Sequence, residues 1–111
     1  MHNTAVFDRI YSELEAARKA LKEGNDGRAR ACCRRAAGLV IQASELEVTK
    51  SASAVDRLRL LSINRECPES IQKAAQRLTT NVRYRLDRDF AFNPIQDALT
   101  IISYFSPQFK P

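Results

Sequence analysis

The stretch Gly24-Asn25-Asp26-Gly27-Arg28-Ala29-Arg30-Ala31-Cys32-Cys33-Arg34-Arg35-Ala36-Ala37-Gly38 decides the fold. It stops one helix and starts another within a few residues. Gly24 supplies the left-handed conformation that a helix carboxyl end often takes, since it has no Cβ to clash there. Asn25 or Asp26 then offers a side-chain oxygen to the first N–H groups of the next helix, which have no partner within it. So short a connection makes the two helices antiparallel neighbours. The second helix is built from small residues and arginines. Small side chains let a neighbouring helix come close, and the arginines leave a cationic surface beside the seam.

Upstream, Phe7, Ile10, Tyr11, Leu14, Ala17 and Leu21 recur at steps of three and four, the period of an amphipathic helix. Asn3 or Thr4 is placed to cap its start, Asp8 sits in its first turn, and Glu23-Gly24 ends it. The second helix is expected from about Gly27 to Glu47, with Ala29, Cys32, Cys33, Ala36, Leu39, Val40 and Ala43 on one face. Arg28 and Arg35 border that face on one side, and Arg30 and Arg34 lie near the other. Gly38 inside this helix costs about 1 kcal/mol relative to Ala. Its compensation is a tight crossing, whose partner the sequence does not name.

Downstream, Thr49 to Ser53 reads as a connection, and Ser53 with Asp56 resembles a capping box. Val55, Leu58 and Leu61, with Leu60 as a further candidate, mark a short third helix ending near Asn64, and Cys67-Pro68-Glu69 starts a fourth with Pro68 in its first turn. Ile71, Ala74, Ala75, Leu78 and Val82 form the stripe of that fourth helix. The segment from Arg83 to Phe92 reads as a helix end followed by a loop anchored by aromatics. Asn93-Pro94-Ile95-Gln96 gives a cap, a first-turn proline and a capping-box glutamine to a last helix carrying Ile95, Ala98, Leu99, Ile102 and Phe105, which Pro107 stops. The expectation is one all-α domain over residues 1–111, an antiparallel four- to five-helix up-and-down bundle.

Lys and Arg number 18 against 13 Asp and Glu, a net charge of +5. The excess is concentrated: residues 28–44 hold four arginines and no acid, and residues 73–88 hold Lys73, Arg77, Arg83, Arg85 and Arg88 against Asp87. Arginine predominates, and its guanidinium fork suits phosphate or carboxylate. A polyanion partner is therefore permitted, beside the plainer reading of solvated helix faces laced by ion pairs. Three cysteines do not make a disulfide framework, and Cys32 and Cys33 read as small buried hydrophobes. With His2 as the one histidine, a zinc site lacks its ligand set, so neither metal nor cofactor is expected. No apolar run approaches the ~20 residues of a membrane span. The amino-terminal residues do not read as a signal peptide, and a cytoplasmic protein with no membrane partner is expected.

No constellation names a reaction. The cysteines have no histidine within the fold to activate them. Glu13 with Glu15 and Glu45 with Glu47 are two apart on helices, so each pair points to nearly opposite sides and cannot share a proton. Gly24 and Gly27 flank a turn and do not form a phosphate-cradling loop. The start of the second helix with Arg28 has the makings of an anion site, although Asp26 is expected to fill that place with its own carboxylate. Tyr84, Phe90 and Phe92 interleave with Arg83, Arg85 and Arg88. That pattern can stack single-stranded bases while gripping phosphates. The same aromatics can instead plug the end of the bundle or, if half exposed, seal a homodimer.

Taken together, the chain resembles the HEPN family of small helical-bundle proteins over most of residues 10–105. Leu14 to Leu21, the Glu23-Gly24-Asn25 turn and Ala29 with Arg35-Ala36-Ala37 look like that family's first helix, turn and alanine-rich second helix. Leu58 and Leu61 resemble its short central helix, Arg83-Tyr84 an arginine-tyrosine step, and Pro94-Ile95-Gln96-Asp97-Ala98 the start of its last helix. The resemblance implies an antiparallel bundle, often dimeric, and often the partner of a minimal nucleotidyltransferase or a toxin. Many members are metal-independent ribonucleases using an arginine followed four to six residues later by histidine. Here Arg77, Arg83, Arg85 and Arg88 are followed by no histidine, so the resemblance implies a non-catalytic member that binds a nucleotide, RNA or a protein. Arg28, Arg34, Arg35, Arg83 and Arg85 are the expected anion contacts, and Tyr84, Phe90 and Phe92 the expected interface. The alternative is a pure protein-interaction module, since the Gly-Asn turn followed by alanines is similar to one tetratricopeptide hairpin.

Overall fold

The computed structural model describes residues 3–44, 53–80 and 93–110. Among these the chain is all-helical: α1 (Asn3–Lys22), α2 (Asp26–Ser44), α3 (Ala54–Ser62), α4 (Glu69–Thr79) and α5 (Pro94–Phe105), with no strand. None of these helices is long and apolar enough to cross a membrane.

The α1–α2 turn follows the local chemistry. Gly24 adopts φ +76°, the left-handed region. Asn25 N–H then reaches back to Ala20 O at 2.8 Å and Gly24 N–H to Leu21 O at 3.1 Å, which satisfies two terminal carbonyls of α1. The cap of α2 is Asn25, whose Oδ1 accepts from Arg28 N at 3.0 Å. Asp26 becomes the first helical residue, where its charge favours the positive end of the helix dipole. α1 begins earlier than its sequence caps imply. Asn3 and Thr4 are both helical, and Asp8 lies beyond the first turn.

α2 is the central element, packed against α1, α3, α4 and α5. Its expected face is buried at Ala29, Cys32, Cys33, Ala36 and Val40, whereas Ala43 is exposed. Ala37, Gly38 and Ile41 are buried as well, because neighbours approach from more than one side. The close crossing implied by Gly38 is with the start of α3. A Cβ at Gly38 would lie 2.7 Å from Ala54 Cβ and 3.1 Å from Ala54 Cα. Ile10, Leu14, Leu58, Leu78, Ile101 and Ile102 complete a single core, each fully buried. Each such side chain contributes roughly 2 kcal/mol by leaving water.

α3 opens with a capping box. Asp56 N–H donates to Ser53 Oγ (3.1 Å) and Ser53 N–H to Asp56 Oδ2 (3.3 Å). Pro68 sits at the cap position of α4, one residue before the helix rather than within its first turn. Asn93 caps α5 through Ile95 N–H at 2.8 Å, with Pro94 as the first helical residue. The chain does not simply stop after α5. Phe109 is buried, edge-on to Phe7 (centroids 5.2 Å apart) and stacked on Tyr11 (4.7 Å), while Tyr11 Oη donates to Lys110 O.

Candidate functional site

A helix leaves its last four carbonyls without partners within it, and at the end of α4 they are met partly by local groups, the Thr80 N–H and the Thr79 and Thr80 hydroxyls, and partly by side chains from α2. Arg30, on α2 and only 4% exposed, brings its Nη2 within reach of three carbonyls: Arg77 (2.9 Å), Leu78 (3.1 Å) and Thr80 (2.6 Å). Arg34, one turn further along α2, donates from Nη1 to Leu78 O at 3.1 Å. The hydroxyls of Thr79 and Thr80 both donate to Gln76 O. Two guanidiniums four residues apart on one helix repel each other. Placed at the negative end of α4, they complement its dipole instead.

The same end is tied to α5. Arg77 offers its fork to Asp97, with Nη2 to Oδ1 at 2.8 Å and Nε to Oδ2 at 3.1 Å. Asp97 is buried, and this bidentate bond holds the Arg77 guanidinium above its ordinary pKa.

Beside this junction lies a depression of about 340 Å³ lined by Gly27, Arg30, Arg34, Val55, Arg59, Thr79 and Thr80. It gathers three arginines from two helices, and its described lining contains no carboxylate. Arg59 is exposed on α3. Arg34 is half-buried, and desolvation, followed by the charge of Arg35, pulls its guanidinium below the ordinary value. An anion here would offset both effects by favouring the charged form of Arg34.

The other arginines expected to act together do not converge. Arg35 faces a smaller hollow of about 140 Å³, lined also by Arg9, Glu13, Gly38, Leu39, Gln42, Ala54 and Arg57. Its Nε donates to Glu13 Oε2 at 3.0 Å, and that bond is the main cause of its raised pKa. Arg28 lies at a third depression with Ala16, Lys19, Ala20 and Glu23. Arg34, Arg35 and Arg28 thus serve three separate places. Arg83 and Arg85, with Tyr84, Phe90 and Phe92, lie outside the described residues.

Two contributors are absent from the sequence reading of the site, Arg30 and Arg59. The spacing of Arg30 and Arg34 already put them on one side of α2, but nothing along the chain joined Arg59 to them. Cys32 and Cys33 are buried, and burial pushes the Cys33 thiol up to about 12, so this pair offers no activated nucleophile. Among the described residues no group of His, Cys, Asp and Glu is placed to hold a metal ion. No protein-family model, curated protein or solved structure matches the chain.

Proposed function

We propose that this chain is a non-catalytic, HEPN-like up-and-down helical module that binds a nucleotide or RNA at the depression framed by Arg30, Arg34 and Arg59. One observation carries the reading: three guanidiniums surround one pocket with no carboxylate in its described lining. Guanidinium forks match phosphate oxygens, and a partly desolvated cluster gains most from a bound anion. Arg30 and Arg34 already hold α4, so they are fixed in place before a ligand arrives, which lowers the ordering cost of binding.

The test is polarisation of a labelled nucleotide and a labelled short RNA, at low and high salt, with wild type, Arg34→Ala and Arg59→Ala. Phosphate binding loses affinity steeply with salt. Each variant is expected to weaken binding about tenfold, the loss of one charge-assisted contact. Binding unchanged in both variants rules the pocket out. The HEPN resemblance further implies a homodimer, expected by light scattering at twice the 12.5 kDa chain mass.

A second reading, a protein-interaction module, draws on the exposed pair Leu60 (64%) and Ile63 (71%) at the end of α3. The alanine-rich face of α2 is filled by this chain's own helices and offers no docking surface. Binding of a partner protein that tolerates salt and is lost in Leu60→Ser with Ile63→Ser would favour this reading.

A further inference from the structure

We infer that residues 106–110 form a clasp, a strap after α5 that closes over the first half of α1 and opens as a unit while the core stays folded. None of its residues lines the arginine pocket, so the clasp stands apart from the function read there. Both halves of the clasp are thinly anchored. Within the strap Phe109 is buried, whereas Pro107, Gln108 and Lys110 around it are exposed. On α1, Val6 and Phe7 are half-buried and Ala5, Asp8 and Arg9 exposed, so Ile10 is the first described side chain to be buried. α1 packs along α2 and touches α5 only slightly. Phe109 joins the two by standing edge-on to Phe7 and stacking on Tyr11.

The strap carries its own shape. Ser106-Pro107-Gln108-Phe109 is a turn closed by Phe109 N–H donating to Ser106 O at 2.9 Å. Pro107 takes its second position, where a fixed φ suits such a turn. Ser106 N–H donates to Ile102 O at 2.8 Å, which ties the turn to the end of α5. Neither bond involves α1, so opening breaks neither. What it breaks is one aromatic insertion and the bond from Tyr11 Oη to Lys110 O. Segments held by so few buried apolar contacts open at lower free energy than the core. The first turn of α1 also holds no acidic residue to offset the helix dipole, whereas those of α2, α3, α4 and α5 each hold one. That end of α1 therefore leans on the clasp, and opening bares the rings of Phe7 and Tyr11.

Hydrogen exchange of the full chain, read amide by amide, tests this in wild type, Phe109→Ala and Ile101→Val. In wild type the amides of Phe7, Asp8 and Arg9 are expected to exchange faster than those of Ala36 and Ala37 in the core. Phe109→Ala is expected to speed the Phe7–Arg9 amides at least about tenfold. Ile101→Val, a mild change at a fully buried position, is expected to speed Ala36 and Ala37 about fivefold and to leave Phe7–Arg9 unchanged, because a local opening does not break the core. Phe7–Arg9 amides that Phe109→Ala does not alter would show α1 fraying by itself, and would overturn the clasp. Phe7–Arg9 amides that Ile101→Val speeds as much as the core would show a strap that opens only by global unfolding, which overturns it equally.

Discussion

The carboxyl ends of α1 and α4 are finished in opposite ways. α1 ends on its own backbone: Gly24 turns left-handed, and the next N–H groups fold back onto Ala20 and Leu21. α4 supplements its own Thr80 N–H and threonine hydroxyls with borrowed groups, the guanidiniums of Arg30 and Arg34 from α2, while its Arg77 is gripped by Asp97 of α5. The first end is self-sufficient and needs only a residue without a Cβ. The second exists only once three helices have come together, so it reports on tertiary structure and borders the pocket where a ligand would act.

The sharpest way to break this contrast is Arg30→Ala. The substitution removes a donor from three carbonyls; Arg77 O keeps the Thr80 N–H and Leu78 O keeps Arg34, so the cost of an emptied acceptor, about 1–3 kcal/mol, falls at Thr80 O. That loss, with the weakened bonds at the other two carbonyls and the lost packing of a buried side chain, is expected to destabilise the chain by about 2–3 kcal/mol in urea unfolding. A loss below about 1 kcal/mol would mean that water replaces the guanidinium freely, and the end of α4 would then be no more dependent on its neighbours than that of α1. Next comes Gly38→Ala. Its Cβ would meet Ala54 Cβ at 2.7 Å and backbone at 3.1 Å, a strain of about 1–3 kcal/mol against a helix-propensity gain near 1. Net destabilisation measured by urea is the expected result, and stabilisation would show that α3 can move away.

Gly24→Ala then probes the self-sufficient end. Space is not the obstacle, since nothing lies within 4 Å of a Cβ there, so the cost is that of φ +76° alone. About 1 kcal/mol is expected from thermal or urea unfolding. A loss as large as that of Arg30→Ala would show that the α1–α2 turn depends on more than its own backbone.

These positions also mark how far the sequence could be read. The Gly24 stop, the Ser53–Asp56 box, the Asn93–Pro94 start and the need for a close approach at Gly38 all depend on residues near one another along the chain. Each has a residue-type signature, and each is present in the fold. Arg30 had no such signature. Its partners are main-chain carbonyls 47 to 50 residues away, a group that every residue carries and that no pattern identifies. In the sequence it was one more arginine in a basic window, and burial against the end of a helix is what sets it apart. Phe109 was hidden for the same reason, because its cage of Phe7 and Tyr11 lies at the other end of the chain. The pocket combines both difficulties, since Arg59 joins Arg30 and Arg34 only when α3 is laid beside α2.

The smallest effect is expected at Arg35, five residues beyond Arg30 on the same helix. Its side chain is 54% exposed, and its partner Glu13 on α1 is 26% exposed, with 3.0 Å between Nε and Oε2. Here the cation meets a formal charge rather than carbonyl dipoles, and its pKa is raised as a result. Water screens the pair, however, and either side chain recovers solvation when the other is removed, so Arg35→Ala is expected to cost under about 1 kcal/mol in urea unfolding. Removing Arg35 also removes a charge that presses on Arg34, which offsets part of that loss. If Arg35→Ala matched Arg30→Ala, the ion pair and not the capped carbonyls would be the stronger bond between helices. The expected order is the reverse, because stabilisation here follows the burial of the acceptor more than its formal charge.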